Sequence, residues 1–520
     1  MAKNSERAEL HKTIWRIAND LRGSVDGWDF KSYVLGMLFY RFISENLRDH
    51  INREERAAGD ESFDYAQLSD EEAEFGREVT VKERGFFILP SQLFHNVRDQ
   101  AHNDENLNET LEKVFKGIEG SAIGTDSEED IKGLFDDVDV NSAKLGGTVA
   151  KRNEKLAKLL YAIGDLPLNQ GFAENTIDLF GDAYEYLMQM YASQAGKSGG
   201  EYYTPQEVSE LLARITVQGK QRVSRVYDPA VGSGSLLLKF RKVLGEGGVT
   251  DGYYGQEINL TTFNLARINM FLHGISYDKF HLALGDTLVD PQHWSDEPFE
   301  AIVSNPPYSI KWEGDNNPVL INDPRYSPAG VLAPKSKADL AFTMHILSWL
   351  AENGTAAIVE FPGVLYRGGA EQKIRKYLVE NNYVDTVIQL PPDLFFGTTI
   401  GTCIIVLKKS KTTNDVLFID ASKQFERVGN KNKLTEQSQN TILETIANRE
   451  ESEHYAYRVE NDKLAENDYN LSVSSYVEPE DTREIIDIKE LNAEIESIVM
   501  RQSQLRDAID EIVKDLEADQ

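Results

Sequence analysis

The tetrapeptide Asn305-Pro306-Pro307-Tyr308 has the residue types of a site that recognises an amino group. It follows the apolar run Ala301-Ile302-Val303, which predicts a buried strand that ends just before Asn305. The two prolines fix the backbone, and Pro306 holds Asn305 in an extended conformation. The amide oxygen and a free carbonyl can accept hydrogen bonds from an amino group while the ring stacks beside it. A simple turn remains the alternative, since Asn-Pro is a common turn dipeptide.

A glycine turn closes an earlier predicted strand, in the run Asp228-Pro-Ala-Val-Gly232-Ser233-Gly234-Ser235. Two glycines let a ligand approach the backbone, and the helix that follows offers free N–H donors. Position 237 is Leu rather than Gly, so a dinucleotide pyrophosphate is not the expected ligand. Glu257 closes the next strand, where a carboxylate can accept both ribose hydroxyl protons of a nucleoside. Asp286 follows the third strand, where it can read a base or its amino group.

The order of these polar strand ends is more specific than any one of them. Parallel strands present their carboxyl ends at one edge of a sheet, so the four segments are expected to meet there. The run Gly196-Lys197-Ser198 also suggests a phosphate loop, but Tyr191 stands where that motif requires glycine. The same region instead predicts a helix with Thr204 as its N-cap and Glu207 completing a capping box.

The elements that must position these residues form an alternating pattern from Arg222 to Ser422. Such alternation predicts a mostly parallel sheet wrapped by helices, with an antiparallel edge. The predicted strands are Val223–Asp228, Gly252–Gln256, Lys279–Ala283, Phe299–Ser304, Thr355–Phe361, Val384–Leu390, Gly401–Lys408 and Val416–Asp420. Predicted helices between them include Leu260–Leu272, Ala338–Leu350 and Glu371–Asn381.

Two flanking regions differ from this pattern. Residues 1–165 are predicted to form an all-α N-terminal domain. The alternating pattern itself lies in the predicted catalytic domain, residues 166–475. Residues 476–520 predict a coiled-coil helix that packs on a partner helix, which we expect to belong to another subunit. Its seam, which advances in steps of three and four with one polar position, consists of Ile488, Leu491, Ile495, Ile498, Gln502, Leu505, Ile509, Ile512 and Leu516.

Composition and charge limit the possible functions. The 520 residues contain 55 basic and 86 acidic side chains, a net charge of −31, which should repel nucleic acid at long range. If the protein acts on DNA, a partner must therefore supply most phosphate contacts. No run of 18 apolar residues predicts a membrane span, and the N-terminus lacks the apolar core of a signal peptide. The single cysteine, Cys403, fits a reducing cytoplasm.

The arrangement resembles the amino-group DNA methyltransferases, and most closely the modification (HsdM) subunits of type I restriction–modification systems. The resemblance covers nearly the whole chain. It includes Trp28-Asp-Phe-Lys-Ser-Tyr-Val-Leu-Gly, Gly199-Gly-Glu-Tyr-Tyr-Thr-Pro, Phe361-Pro-Gly-Val-Leu-Tyr-Arg-Gly-Gly and Leu390-Pro-Pro-Asp-Leu-Phe-Phe. It implies the class I S-adenosylmethionine-dependent methyltransferase fold, which is Rossmann-like, and N6 of adenine as the target.

The resemblance also implies residue roles and partners. The expected partners are DNA, a separate specificity subunit that reads the sequence, a second copy of the modification subunit and a restriction subunit. The implied S-adenosylmethionine contacts are Glu201, Tyr202, Tyr203, Thr204, Pro205, Gln206, Gly232, Ser233, Gly234, Ser235 and Glu257, to which we add the strand-end carboxylates Asp228 and Asp286. No metal is expected, because the sequence has no His/Cys cluster of ligand spacing.

In the mechanism that these residue roles imply, the Asn305 oxygen and the Pro306 carbonyl accept hydrogen bonds from the two hydrogens of the adenine amine. The lone pair of that nitrogen then localises and attacks the methyl group in line. Tyr308 is the expected stacking partner for an adenine flipped out of the duplex, with Phe395 and Phe396 as further candidates.

Three other functions share parts of this pattern. A protein glutamine methyltransferase could use the same pocket, but needs neither the N-terminal helices nor the terminal coiled coil. A self-sufficient DNA amino-methyltransferase would need a recognition domain, and no region looks large or basic enough. A non-enzymatic assembly scaffold with a vestigial site would not need an intact Asn305, Glu257 and glycine turn.

Overall fold

The computed structural model describes residues 29–166, 204–395, 398–429, 431–480 and 488–518. The chain divides into two compact units, Met1–Val477 and Glu478–Gln520, which are described separately. Among the residues described, none of the helices combines the length and the apolar character that a membrane span requires.

The first unit begins with helices that pack around a long one. Helix α1 (Asp29–Ala58) buries an almost continuous apolar face that includes Leu35, Leu38 and Ile43. The helices that follow are α2 (Asp70–Glu74), α3 (Arg77–Arg84), α4 (Phe94–Gln100), α5 (Leu107–Ser121), α6 (Glu128–Ile131) and α7 (Val149–Gly164). In the N-terminal region predicted to be all-α, helices are thus the regular elements among the described residues.

A nine-stranded sheet forms the centre of the unit, in the order β11-β8-β6-β7-β5-β4-β1-β2-β3. Its strands are β1 (Val223–Asp228), β2 (Val249–Glu257), β3 (Phe280–Leu284), β4 (Phe299–Ser304), β5 (Leu350–Glu360), β6 (Val384–Gln389), β7 (Cys403–Lys408), β8 (Asp415–Asp420) and β11 (Ala456–Glu460). Strands β9 (Glu426–Val428) and β10 (Lys431–Lys433) form a separate antiparallel pair.

The pairing directions place most strand ends at one edge of the sheet. Strands β1 to β5 pair in parallel, and β6 and β8 pair in parallel with each other. Strand β7 is antiparallel to both β5 and β6, so β6 again runs in the direction of β5. The carboxyl ends of β1 to β6 and of β8 therefore share one edge, which we call the catalytic edge. The antiparallel edge is confirmed by β11, which pairs antiparallel with β8.

Helices cover both faces of this sheet and tie it to the N-terminal region. They are α8 (Gln206–Thr216), α9 (Ser235–Leu244), α10 (Leu260–Leu272), α11 (Asp339–Trp349), α12 (Ala370–Glu380), α13 (Glu436–Asn448) and α14 (Asn461–Glu466). The buried Arg267 of α10 donates to the Glu129 and Lys132 carbonyls, at 2.8 and 2.9 Å. Thr261 donates to Asp137 at 2.8 Å. The N-terminal helices thus pack directly against the sheet domain.

The second unit consists of one described helix, α15 (Ile488–Ala518). Its predicted seam lies along this helix, and the apolar seam side chains are 42% to 70% exposed. The helix itself is confirmed, while its partner remains a prediction.

Candidate active site

The Asn305 side chain is held at both ends of its amide. Strand β4 buries Phe299, Ala301, Ile302 and Val303 and ends at the buried Ser304, so Asn305 emerges at the catalytic edge. Its Nδ2 donates to Thr204 Oγ1 at 2.9 Å, and the Tyr308 hydroxyl donates to its Oδ1 at 2.6 Å. A phenol is the stronger donor of the two hydroxyls and an alkyl hydroxyl the better acceptor. These partners therefore orient the amide oxygen toward Tyr308.

A buried carboxylate fixes the backbone immediately after this tetrapeptide. Ser309 has a φ of +52°, which is unfavourable for a residue with a side chain. Its N–H donates to Asp339 Oδ1 at 2.9 Å, and Asp339 is only 1% exposed at the start of α11. Burial and the nearby Asp339 carboxylate raise the pKa of Glu360, at the end of β5, well above its ordinary value. The sequence pattern singled out neither acid, because both lie in otherwise apolar runs.

Asp228 and Ser304 join the cofactor strand to the catalytic strand. The Ser304 hydroxyl donates to Asp228 Oδ1 at 3.0 Å, and the Ala230 N–H donates to the same oxygen at 3.0 Å. Asp228 is fully buried, and its Oδ2 has no hydrogen-bond partner among the described residues. Burial raises the pKa of Asp228 from its ordinary 3.8 to about 7. The predicted cofactor segment and Asn305 therefore begin at adjacent, directly bonded strand ends.

The glycine turn after β1 has the conformation that its sequence requires. Gly232 and Gly234 have φ values of +55° and +79°, where L side chains are strained. A Cβ on Gly234 would also lie 3.0 Å from Met270 Cε. Asn269 donates to the Ser233 carbonyl at 2.8 Å, and α9 begins at Ser235, which is buried. The turn is thus rigid and brings backbone N–H groups to the catalytic edge.

Glu257 lies at the end of β2 with its carboxylate already oriented. Its Oε2 accepts the Gly232 N–H at 3.1 Å, and its Oε1 accepts the Asn259 N–H at 3.0 Å. These bonds join Glu257 to the glycine turn, as expected for two parts of one nucleoside site.

Asp286 lies after β3 and caps its own turn, because its Oδ1 accepts the Leu288 N–H at 2.9 Å. Strands β2 and β3 are paired so that Glu257 is opposite Leu284. Beside the two carboxylates, Ile258, Leu260 and Leu284 are 67%, 50% and 44% exposed. Exposed apolar side chains beside carboxylates can pack against the faces of a flat aromatic ring. The sequence analysis missed these three residues, whose only sequence signal is adjacency to Glu257 and Asp286.

The segment before α8 is described from Thr204 onward, and Glu201, Tyr202 and Tyr203 lie outside the described residues. The predicted capping box is wrong. Helix α8 begins at Gln206 with Pro205 as its N-cap and without a side-chain cap bond. The Thr204 hydroxyl, which is 4% exposed, instead contacts Asn305, so it is not available to the helix.

The two phenylalanines suggested for the base pocket are placed differently. Phe395 is 1% exposed within the hydrophobic core, so it packs rather than lines an open pocket. Phe396 lies outside the described residues. Tyr308 is partly buried, Pro306 is buried and Pro307 is partly buried. Of the aromatic candidates, Tyr308 alone is described with a direct bond to Asn305.

Comparison with known proteins agrees with this geometry. A model of the N-6 DNA Methylase family matches residues 175–485, and one of the HsdM N-terminal domain matches residues 10–163. The type I restriction enzyme MpnII methylase subunit of Mycoplasma pneumoniae is 48% identical over 533 residues, which cover 99% of this chain and 98% of that protein. The MjaVII methylase subunit of Methanocaldococcus jannaschii is 32% identical over 376 residues, covering 70% of this chain and 64% of that protein.

A solved structure is similar over most of the chain. It is the type I restriction–modification system methyltransferase subunit from Streptococcus thermophilus, with a TM-score of 0.82 and 37% identity. The match covers 91% of this chain and 100% of that one.

Proposed function

The chain belongs to the type I restriction enzyme methylase subunits, and from this premise we propose how its residues methylate adenine. It is an N6-adenine DNA methyltransferase subunit that uses S-adenosylmethionine. One observation carries the assignment of residues. The Asn305 amide and the glycine turn start from neighbouring strand ends that are joined by the 3.0 Å Ser304–Asp228 hydrogen bond.

The cofactor site is formed by the turn Gly232–Ser235 together with Asp228, Glu257 and Asp286. Glu257 accepts ribose hydroxyl protons, and Asp286 fixes the adenine ring between the exposed apolar side chains around it. Gln206, the first residue of α8, completes the site together with the residues that precede it in the sequence, Glu201, Tyr202, Tyr203, Thr204 and Pro205. The bound S-adenosylmethionine supplies an electrophilic methyl group.

Asn305 activates the target amine. The lone pair of the adenine N6 is delocalised into the ring, which makes the amine a weak nucleophile. The Asn305 oxygen and the Pro306 carbonyl accept its two hydrogens, which favours a pyramidal nitrogen with a localised lone pair. Pro306 and Pro307 restrict the backbone, so both acceptors are already in position before the reaction begins. Asp339 supports them by holding the Ser309 N–H.

Tyr308 stacks on the adenine after that base has left the duplex. In the structure its hydroxyl occupies the Asn305 oxygen at 2.6 Å, the atom that the adenine amine must reach. An amide oxygen can accept two hydrogen bonds, and we propose that the phenol nevertheless releases Asn305 when the base enters, because the ring and the base compete for the same space. The ring can then lie beside the base that displaced it.

Sequence recognition belongs to a separate specificity subunit. The net charge of −31 makes strong DNA binding by this chain alone unfavourable, so a basic partner recruits it. From the family membership we propose DNA, a specificity subunit, a second modification subunit and a restriction subunit as partners, in the cytoplasm. Within the chain, residues 1–165 form a helical domain, residues 166–475 the catalytic domain and residues 476–520 the assembly helix.

The experiment uses the chain purified with its specificity subunit. Wild type should transfer labelled methyl groups to adenine N6 in DNA, and Asn305→Ala should lower kcat by about 100- to 1,000-fold, as loss of one transition-state contact does. S-adenosylmethionine affinity should stay near normal in this variant. Residual activity above a few per cent would refute the role of Asn305, while normal binding without adenine methylation by wild type would refute the activity.

A further inference from the structure

A basic surface segment lies near the catalytic edge of this acidic protein. Residues 423–433, here called the basic hairpin, contain the antiparallel strands β9 and β10. The segment has four cationic side chains and one acidic one, against 55 and 86 in the whole chain. The cations are Lys423, Arg427, Lys431 and Lys433, and the acid is Glu426. Its local charge is thus opposite to that of the protein.

The topology places the basic hairpin at the same edge of the sheet as the active site. It follows β8, whose carboxyl end lies at the catalytic edge because β8 is parallel to β6. Asn432 donates through its N–H to the Asp393 carbonyl at 3.1 Å and through its side chain to the Pro392 carbonyl at 2.7 Å. Lys431 donates to the Phe395 carbonyl at 2.7 Å. The hairpin is therefore fixed to the loop that follows β6.

Its other end reaches the helix that carries the catalytic support. The Lys433 charge acts on Glu207 in the first turn of α8, where it opposes the burial that raises the pKa of that carboxyl. Thr204, which holds Asn305, lies just before the same helix. Leu434 is buried and anchors the end of the hairpin. The basic hairpin is thus braced on the loop after β6 and on α8, and Thr204, which holds Asn305, lies just before α8.

Several side chains of the hairpin are accessible to a large ligand. Lys423, Arg427 and Lys433 are exposed, and Phe425 and Val428 are 37% and 58% exposed. Arg427 contacts Asp393 at 3.2 Å and Asn432 at 3.0 Å, in a half-exposed ion pair of small stabilising effect. The exposed cations of such a ribbon can contact the phosphates of an extended polyanion, and its apolar side chains can contact the apolar faces of the sugars.

We propose that the basic hairpin binds the phosphodiester backbone of the DNA strand beside the flipped adenine. This inference rests on the proposed function, since the DNA must reach Asn305. A base that leaves the duplex requires its flanking phosphates to be held, and cations at the catalytic edge can do so without reading sequence. The acidic surface elsewhere then limits binding to this edge. The hairpin gives the catalytic subunit a DNA contact of its own.

The test measures DNA binding by the reconstituted complex with its specificity subunit. The variant Lys423→Gln/Lys433→Gln removes two exposed cations and leaves Lys431, which supports the fold. We expect weaker DNA binding, and a slope of log affinity against log salt that is smaller by about 1 for each lost contact. The KM for DNA should rise more than kcat falls, and S-adenosylmethionine affinity should not change.

A matched control removes two lysines at the opposite edge of the sheet. Lys242 ends α9, and Lys463 lies in α14 after β11, each beside a glutamate at 2.6 and 2.8 Å. Lys242→Gln/Lys463→Gln should leave the salt slope unchanged. Equal slopes in wild type and both variants would overturn the proposal, as would equal losses in both variants.

Two further outcomes separate this inference from related ones. If the hairpin variant fails to co-purify with the specificity subunit, the hairpin contacts protein rather than DNA, and the proposal is wrong. Binding is also measured in Asn305→Ala, which should retain the full salt slope. If wild type methylates DNA normally but has the same salt slope as the hairpin variant, only the proposed role of the hairpin is contradicted. Loss of methylation by wild type would contradict the proposed function.

Discussion

The catalytic edge and helix α15 use their side chains in opposite ways. At the edge, polar groups bind one another within the chain: Thr204 and Tyr308 hold Asn305, and Gly232 and Asn259 hold Glu257. On α15 the apolar seam residues are exposed, as at Ile488 and Leu516, which are 70% and 64% accessible.

This difference separates what the subunit does alone from what it does in a complex. The edge already has its geometry before any partner arrives, so cofactor binding should belong to the isolated chain. A regular row of apolar side chains on a long helix gains stability only when a second helix covers it. The comparison predicts that changes at the edge affect chemistry without assembly, and that changes on α15 do the reverse.

Removal of α15 should give the largest effect. Deletion of residues 480–520 is expected to abolish co-purification with the specificity subunit and therefore methylation in the reconstituted system. The S-adenosylmethionine affinity of the remaining chain should match that of wild type, because its edge residues lie in the first unit. Calorimetric titration and size-exclusion chromatography measure the two properties.

Point substitutions make this test sharper than a deletion. Ile498→Asp/Ile509→Asp places charges on the seam and should weaken assembly, while Glu496→Gln, away from the seam, should not. Assembly that is unaffected by the seam variant would show that another surface holds the partner.

The fold was largely predictable because its strands are apolar runs separated by glycine and polar turns. The predicted bounds of β1, β4 and α10 match those observed, and the other predicted strands differ by a few residues at their ends. Strand β11 and the pair β9 and β10 were missed. Tyr457 and Arg458 are exposed in β11, and all of β9 is exposed, so neither has the apolar pattern of a buried strand.

The site was predictable only where function demands a particular residue type. Strand-end glycines, carboxylates and Asn305 have recognisable chemistry at recognisable positions. The Thr204 hydroxyl could not be assigned, because its contact with Asn305 joins residues 101 positions apart. Local pattern favoured a cap, and tertiary contact gave the hydroxyl another partner. Asp339 was missed for the same reason, because its contact with the Ser309 N–H joins residues 30 positions apart.

A smaller effect, on the chemistry alone, should come from Thr204. Thr204→Val keeps the shape and removes the acceptor for Asn305 Nδ2, which leaves the amide held only by the Tyr308 hydroxyl. Loss of one such hydrogen bond, worth about 1 kcal/mol, should lower kcat about 5-fold. Thr204→Ser should restore the rate, because the hydroxyl remains. The KM for S-adenosylmethionine distinguishes two roles: it stays constant if Thr204 acts through Asn305, and rises if Thr204 also contacts the cofactor.

Asp228 should make stability depend on pH in a defined direction. Its pKa in the folded protein is about 7, above the ordinary 3.8, so the native state retains a proton that the unfolded chain has lost. Its contribution to stability therefore declines as pH rises from about 4 through 7, and is constant above that. Asp228→Asn cannot ionise. Between pH 5 and pH 8 the wild-type Tm should fall more than that of the variant, by about 2 °C, in thermal scans without cofactor. Parallel pH curves would contradict this.

The smallest effect should come from removal of the Tyr308 hydroxyl. It tests whether the hydrogen bond between Tyr308 and Asn305 persists or breaks when the base enters. Tyr308→Phe keeps the stacking ring and removes the donor that occupies the Asn305 oxygen. The oxygen becomes available to the adenine amine, but the resting amide loses one partner. Each effect is worth about 1 kcal/mol with opposite sign, so kcat/KM for DNA should stay within about 3-fold of wild type. Tyr308→Ala removes the ring as well and should cost more, by about 1–3 kcal/mol for a lost stacking contact. If Tyr308→Phe were as impaired as Tyr308→Ala, the hydroxyl would be needed during the reaction. Asn305 would then need the Tyr308 hydrogen bond throughout the reaction, rather than lose it when the base enters.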